Sequence, residues 1–167
     1  MTQPLPNPAS STALPGLRWR CLPFDALDVH TLYRLLRLRS EVFVVEQNCV
    51  FQDMDNADPA CHHLLGEQTD VQGEPRLLAY ARLVPAGLKF PEASIGRVVT
   101  DPAGRAAGLG HALMQAALRE VQALWGPQPI RIGAQAHLES FYRRHGFVSD
   151  HKPYIEDGIP HLEMIRK

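Results

Sequence analysis

Residues 94–111 have the sequence SIGRVVTDPAGRAAGLGH, and this stretch decides the fold. Its first seven residues favour a β-strand, which Asp101-Pro102 ends because proline cannot donate to a β-ladder. A turn with glycines and the start of a helix follow. A helix start has unpaired N–H groups and the positive end of a dipole, and glycine lets the backbone approach a ligand closely. The stretch therefore predicts a strand, a turn and a helix that together can bind an anion such as a pyrophosphate.

The spacing of the glycines differs from that of two common phosphate motifs. They do not follow G-x-G-x-x-G, and no G-K-[ST] comes after them, so a dinucleotide fold and a P-loop are both disfavoured. Arg105 can add charge-assisted hydrogen bonds to a bound anion. The turn by itself leaves a second interpretation open, in which the glycines only allow the helix and the strand to pack closely.

Strand and helix patterns continue on both sides of this unit. Alternating or apolar segments predict further strands at residues 17–24, 63–67, 76–84, 129–135 and 159–165, and another strand that starts at residues 147–148. Apolar residues at helical spacing predict a helix capped by Asp25 or Asp28, a second that ends at Gly126 and a third that ends at Gly146. The β-rich residues 42–45 leave the end of the first helix open. This order predicts an α/β protein with a mixed α+β sheet.

Length and charge limit the possible classes of function. The chain has 167 residues and a formal net charge of −1, which suits one domain and argues against nucleic acid and membrane partners. No apolar run approaches the roughly 20 residues of a membrane span. Residues 1–16 hold no charged side chain and four prolines, which predicts a flexible tail rather than a secretory signal. The folded domain is then expected at residues 17–167.

The cysteines predict neither a disulfide framework nor a metal site. Three cysteines with wide spacing favour a reducing, cytoplasmic location. Cys49 and Cys61-His62-His63 match no zinc spacing. Adjacent histidines on a strand also point to opposite faces, so no metal is expected.

Two motifs in order resemble the GNAT acetyltransferase superfamily. Arg105-x-x-Gly108-x-Gly110 is similar to its coenzyme A pyrophosphate motif, and residues 130–147 resemble its strand and Y-x-x-x-G-F helix. The segments LRSEVFVVEQN, GAQAHL and EDGIPH, at residues 38–48, 133–138 and 156–161, resemble the ElaA family of small bacterial GNAT proteins. The resemblance covers residues 17–167.

The resemblance implies a GNAT fold, which is a splayed, mostly antiparallel sheet of about six to seven strands flanked by helices. Acetyl-CoA would lie between the strands at residues 94–100 and 130–135, where freed main-chain groups can pair with its amides. The residues implied in cofactor binding are Val98, Val99, Thr100, Arg105, Ala106, Ala107, Gly108, Leu109, Gly110, His111, Gln135 and Tyr142.

The resemblance also implies roles in catalysis and in acceptor binding. Tyr142 matches the tyrosine that serves the leaving thiolate, although its apolar helix face also suits a core residue. The strand at residues 94–100 lacks the carboxylate that many GNAT enzymes place there, so the base is left open among Glu46, His63, His137 and Glu163. Each of these also suits an ordinary solvated or structural residue. The acceptor side is expected to include Arg39, Phe43, Glu46, Gln47, His63 and His137.

The implied activity is acetyl transfer from acetyl-CoA to a primary amine of a small molecule or a peptide, by a monomer or a homodimer. A non-catalytic acetyl-CoA-binding sensor is an alternative, because a fold does not guarantee a reaction. An acyl-homoserine-lactone synthase-like acyltransferase is another, because Arg39-x-x-Val42-Phe43 resembles that group.

Overall fold

The computed structural model describes residues 14–167, and those residues form seven strands in two antiparallel sheets. The first sheet has the order β1-β2-β3-β4, with β1 at Arg18–Pro23, β2 at His62–Thr69, β3 at Pro75–Val84 and β4 at Ser94–Thr100. The second has the order β5-β7-β6, with β5 at Ile130–Gln135, β6 at Val148–Glu156 and β7 at Ile159–Arg166. The predicted mixed α/β class is confirmed.

The predicted tail falls mostly outside this description. Residues 1–13 lie outside the described residues. Leu14 and Leu17, near the start of the described residues, pack against the core.

Three helices have the starts and stops that the sequence predicts. Helix α1 at Val29–Arg39 is capped by Asp28, whose carboxylate accepts from the N–H groups of His30 and Thr31 at 2.9 Å. The chain then continues as a π-helix over Ser40–Glu46, which resolves the open end of α1. Helix α2 at Leu109–Trp125 ends at Gly126 with φ +77°. Helix α3 at Glu139–Arg143 is followed by Gly146 with φ +83°.

The core lies on both faces of the first sheet. The buried face of α2, including Leu113, Ala117 and Val121, packs against strands of both sheets, as its apolar stripe predicts. Leu35 and Leu38 of α1 pack on the other face, against β2, β3 and β4. No helix among residues 14–167 is long and apolar enough to cross a membrane.

Candidate active site

Strands β4 and β5 run side by side at one end and separate at the other. Ala93 forms a parallel bridge with Ile130, and its carbonyl accepts from the N–H of Arg131 at 2.9 Å. Within residues 14–167 no further bridge joins the two strands. The free edge of β4 therefore faces a gap between the two sheets, at the position predicted for acetyl-CoA.

A bulge in β4 directs Arg97 toward a neighbouring loop. The pairing of β3 with β4 shifts between Tyr80 and Arg82, and Arg97 has φ +51°. Its Nε donates to Oδ1 of Asp53 at 2.7 Å, and its Nη2 donates to the Asp53 carbonyl at 3.0 Å. The β4 strand carries no carboxylate, but this arginine holds the acidic loop at residues 49–58 against the strand.

Two buried arginines complete an ion network under that loop. Arg39 donates to Asp53 at 2.7 Å and to Asp58 at 2.9 Å, and its side chain has no exposed surface. Arg82 donates to Asp55 at 2.7 and 2.6 Å and to Asp58 at 2.9 Å. Burial acts to raise the pKa of Asp58, but hydrogen bonds from Arg39 and Arg82 outweigh it and hold that pKa below its usual range. The structure thus places Arg39, predicted on the acceptor side, in the interior, because three aspartates from a distant loop pair with these arginines.

His63 also lies in the interior, with both ring nitrogens occupied. Its Nε2 contacts the Asp58 carbonyl at 3.0 Å, and since a carbonyl only accepts, Nε2 carries the proton. Its Nδ1 then accepts from the Tyr80 hydroxyl at 2.8 Å. Burial lowers the pKa of His63, so the ring stays neutral. This position, with no free lone pair, does not suit the predicted base.

The turn between β4 and α2 has the geometry of an anion site. The carboxylate of Asp101 accepts from the N–H of Ala103 at 2.8 Å and begins a 3₁₀ turn at Pro102–Ala107. Gly108 follows in the left-handed region with φ +70°, which glycine adopts without strain. Helix α2 begins there without a side-chain cap, so its first N–H groups remain available to a ligand.

Arg105, predicted to bind the pyrophosphate, pairs with Glu46. Its two terminal nitrogens donate to the two carboxylate oxygens at 2.7 and 2.8 Å. The Arg105 guanidinium holds the pKa of the Glu46 carboxyl below its usual range, so Glu46 is a weak proton acceptor in this state. The pair joins the end of the π-helix to the anion turn.

Tyr142 lies on α3 and is buried among aromatic rings. Its ring is in edge contact with Phe141 and Phe147, with centroids 5.0 and 6.1 Å apart. Burial raises the pKa of the phenol to about 12, so it stays protonated at neutral pH. The residue is therefore both a core residue and a protonated phenol.

His111 in the first turn of α2 contacts α3. Its Nδ1 lies 2.9 Å from Nε2 of His145, and its ring lies against Phe141 with centroids 4.8 Å apart. Burial, and to a lesser extent His111, lower the pKa of His145. One ring donates a hydrogen bond to the other, and this contact fixes the start of α2 relative to the helix that carries Tyr142.

A pocket of about 270 Å³ lies where the π-helix, the acidic loop, strands β4 and β5 and the β6–β7 hairpin meet. Arg97 of β4 and Gln135 of β5 both line it, so it opens at the gap between the strands. It is lined by Phe43, Gln47, Cys49, Phe51, Gln52, Asp55, Arg97, Gln135, Glu156, Asp157, Ile159 and His161.

The comparison with known proteins gives the family. A model of the acetyltransferase (GNAT) domain matches residues 67–167. The chain belongs to the GNAT acetyltransferase family. Protein ElaA of Escherichia coli (strain K12) is 40% identical over 153 residues, which cover 90% of this chain and 97% of ElaA.

Solved structures agree with the fold. An acyl-CoA N-acyltransferase from Pseudomonas aeruginosa has a TM-score of 0.82 and 44% identity. The match covers 90% of this chain and 99% of the Pseudomonas chain. The crystal structure of Escherichia coli ElaA has a TM-score of 0.81 and 40% identity, with the same coverage of 90% and 99%. The predicted GNAT fold and the likeness to ElaA are confirmed, and the chain is a transferase of this family.

In this GNAT protein the other predicted acceptor residues divide into two groups. Phe43 and Gln47 line the pocket. Gln135, predicted on the cofactor side, lines it as well, and its amide donates to the Gln47 amide oxygen at 3.3 Å. His137 is exposed in a 3₁₀ turn after β5 and does not line the pocket. Glu163, a candidate base, accepts from Arg131 at 2.9 Å. The roles of all these residues remain predictions.

Several polar residues of this GNAT pocket were not predicted from the sequence. They are Asp55, Arg97, Glu156, Asp157 and His161. The EDGIPH segment, quoted only for its resemblance to ElaA, contains three of them. Its Asp-Gly pair was a usable signal, since both residues have positive φ in the two-residue turn between β6 and β7.

Proposed function

We propose that this GNAT protein transfers an acetyl group from acetyl-CoA to a primary amine of a small-molecule or peptide acceptor. The observation that carries the proposal is the gap between β4 and β5, which has an anion turn and a polar pocket beside it. Helix α3, which contacts β5, carries a protonated phenol. These features supply what direct transfer needs: a cofactor groove, an acceptor site and a proton donor for the leaving thiolate.

The cofactor side fits the chemistry of acetyl-CoA. The free edge of β4 at Val98, Val99 and Thr100 offers main-chain groups to an extended amide chain, in the manner of an added strand. The start of α2 offers N–H groups and a positive dipole end to a pyrophosphate. At Gly108 an added Cβ would meet no atom within 4 Å, so the turn is open to a ligand there.

The Tyr142 phenol suits the thiolate leaving group. A phenol with its pKa raised to about 12 keeps its proton at neutral pH and can donate it, or a hydrogen bond, as negative charge develops on sulfur. A buried donor is also stronger than the same group in water.

Isothermal titration with acetyl-CoA tests the cofactor side. In Gly110→Asp the new carboxylate favours the helix start but repels a pyrophosphate, so we expect a folded protein with binding weakened at least tenfold. Gly110→Ala is the matched control, because its Cβ would lie 3.6 Å from Phe141, an ordinary contact. Equal affinity in wild type, Gly110→Ala and Gly110→Asp would contradict binding at this turn. Binding without transfer to any amine would favour the sensor alternative.

A further inference from the structure

His161 presents a free ring nitrogen to the pocket. Its Nδ1 lies 2.8 Å from the Ile159 carbonyl, and since a carbonyl only accepts, Nδ1 carries the proton of the neutral ring. Nε2 is then the atom with the lone pair. The ring is mostly buried and is one wall of the pocket. This is the opposite tautomer to that of His63, and it leaves a proton acceptor beside the acceptor space.

The neighbours of His161 hold the ring in place without using Nε2. Tyr154 of β6 stacks on it with centroids 5.4 Å apart, and Gln135 lies directly opposite on β5. The Glu156 carboxylate is 3.8 Å from Nε2, too far for a hydrogen bond to a neutral ring but close enough to stabilise a protonated one. The other charged groups that line the pocket are Asp55, Arg97 and Asp157.

Three of the four predicted bases are already engaged. Glu46 is bound to Arg105, Glu163 is bound to Arg131, and both nitrogens of His63 are occupied. Asp55 lines the pocket, but hydrogen bonds from Arg82 hold its pKa well below the usual range. His137, the remaining predicted base, is exposed and does not line the pocket. His161 is the one imidazole in the pocket lining, and its Nε2 makes no hydrogen bond within residues 14–167.

The charge of the pocket favours a cationic acceptor. Arg39, Arg82 and Arg97 balance Asp53, Asp55 and Asp58, so the buried ion network is neutral as a unit. Glu156 and Asp157 line the pocket at the hairpin tip, and within residues 14–167 neither forms a salt bridge with an arginine or a lysine. Amines with a pKa near 10 are protonated in neutral solution and are attracted to such a rim.

We propose that Nε2 of His161 is the general base that deprotonates the acceptor, and that Glu156 and Asp157 select a small cationic amine. This rests on the proposed acetyl transfer. The ammonium group gives one proton to Nε2, which later releases it to solvent. The freed lone pair forms the C–N bond to the acetyl carbon while the C–S bond breaks, and its electron pair stays on sulfur. The second proton of the nitrogen ends on that sulfur, through the Tyr142 hydroxyl.

The kinetic test uses acetyl-CoA with spermidine, a single-lysine peptide and glucosamine, and continues with the amine that reacts fastest. In His161→Asn the amide keeps a donor for the Ile159 carbonyl but removes Nε2. We expect kcat/KM to fall about 10²- to 10⁴-fold. We also expect the pH–rate profile to lose the part of its rise that comes from this base. Added imidazole should partly restore the transfer rate of His161→Ala and should leave the rate of the wild type unchanged. The exposed His30→Asn is the control and should match the wild type.

Charge selection is tested separately on the same amine. Glu156→Gln with Asp157→Asn should raise the KM for a cationic amine about tenfold, because the change removes the attraction of the rim. A smaller fall in kcat is also expected, since the Glu156 carboxylate stabilises protonated His161. An unchanged KM for that amine would overturn the selection of cations.

A spectroscopic measurement tests the His161 geometry without turnover. Long-range ¹H–¹⁵N NMR should show the neutral ring protonated at Nδ1, and addition of spermidine should perturb the Nε2 signal. The role of His161 would be overturned if the neutral ring were protonated at Nε2, or if His161→Asn transferred acetyl with an unchanged pH profile. Neither result would contradict acetyl transfer itself. Bound acetyl-CoA with no transfer to any of the three amines would instead contradict the proposed function.

Discussion

Glu46 and Arg105 form a two-point ion pair, with N–O distances of 2.7 and 2.8 Å, between the π-helix and the anion turn. The guanidinium expected to hold a pyrophosphate is thus bound to a carboxylate from the opposite side of the site. Both side chains are partly exposed, so the pair contributes little to stability. A pyrophosphate would have to compete with Glu46 for the same donors.

Removal of the competing carboxylate should strengthen cofactor binding. In Glu46→Gln we expect acetyl-CoA to bind about twofold to fivefold more tightly at low salt, the size of an exposed ion pair. The difference should shrink at high salt, because salt screens exposed charges. Isothermal titration at two salt concentrations measures it. Weaker binding in Glu46→Gln would mean that Glu46 supports the site rather than competes for Arg105.

Loss of the Tyr142 hydroxyl should slow catalysis without unfolding the protein. In Tyr142→Phe we expect kcat to fall about 10²-fold or more, the usual contribution of a general acid. Acetyl-CoA affinity and the unfolding midpoint should change little, because the ring contacts with Phe141 and Phe147 remain. Steady-state kinetics with saturating acetyl-CoA and a thermal melt measure both. Unchanged turnover would leave Tyr142 as a core residue only.

Disruption of the buried ion network should destabilise the fold. In Asp58→Asn, Arg39 and Arg82 lose a charged partner in the interior, and we expect the free energy of unfolding to fall by about 3–5 kcal/mol. The exposed Asp25→Asn is the control and should stay within about 0.5 kcal/mol. Urea unfolding at neutral pH measures both.

The same network predicts an acid limit. The pKa of Asp58 is lower in the folded state than in the unfolded chain, so its stabilisation is present above about pH 4 and is lost as the pH falls below it. Urea unfolding across this range should show a smaller loss in Asp58→Asn than in the wild type. An equal loss in both would mean that Asp58 is not linked to folding.

His63 should affect stability at a higher pH. Its pKa is lowered by burial, so below about pH 6.5 the unfolded chain takes up a proton that the folded state does not. Wild-type stability should therefore decrease as the pH falls through this range, and His63→Gln should lack that part of the decrease. Thermal melts between about pH 5 and pH 8 measure it, with His30→Gln as the control. The same slope in all three proteins would contradict a buried neutral His63.

Local signals in the sequence predicted most of the fold. Asp28 caps α1, Gly126 and Gly146 follow α2 and α3, and Asp101-Pro102 ends β4, because each feature depends on residues only a few positions apart. The sequence did not predict that α1 continues as a π-helix, because the valines at residues 42–45 favour a strand. Packing of Val42 with Leu38 and Leu35 on the same sheet face accounts for the helical form.

The pocket was harder to predict because its contacts are distant in sequence. Arg97 meets Asp53 across 44 residues, and no local pattern relates them. Arg39 was expected on the acceptor side because it lies on the first helix, but its side chain meets Asp53 and Asp58 in the interior. The free nitrogen of His161 depends on the backbone carbonyl of Ile159, which residue identity alone does not reveal.

The most direct test of acetyl transfer follows free thiol and acetylated product together, when acetyl-CoA is mixed with each amine in turn. We predict repeated turnover in which one acetyl group appears on the amine, seen by mass spectrometry, for each thiol released. Tight binding of acetyl-CoA with no amine-dependent thiol release from any acceptor would contradict it.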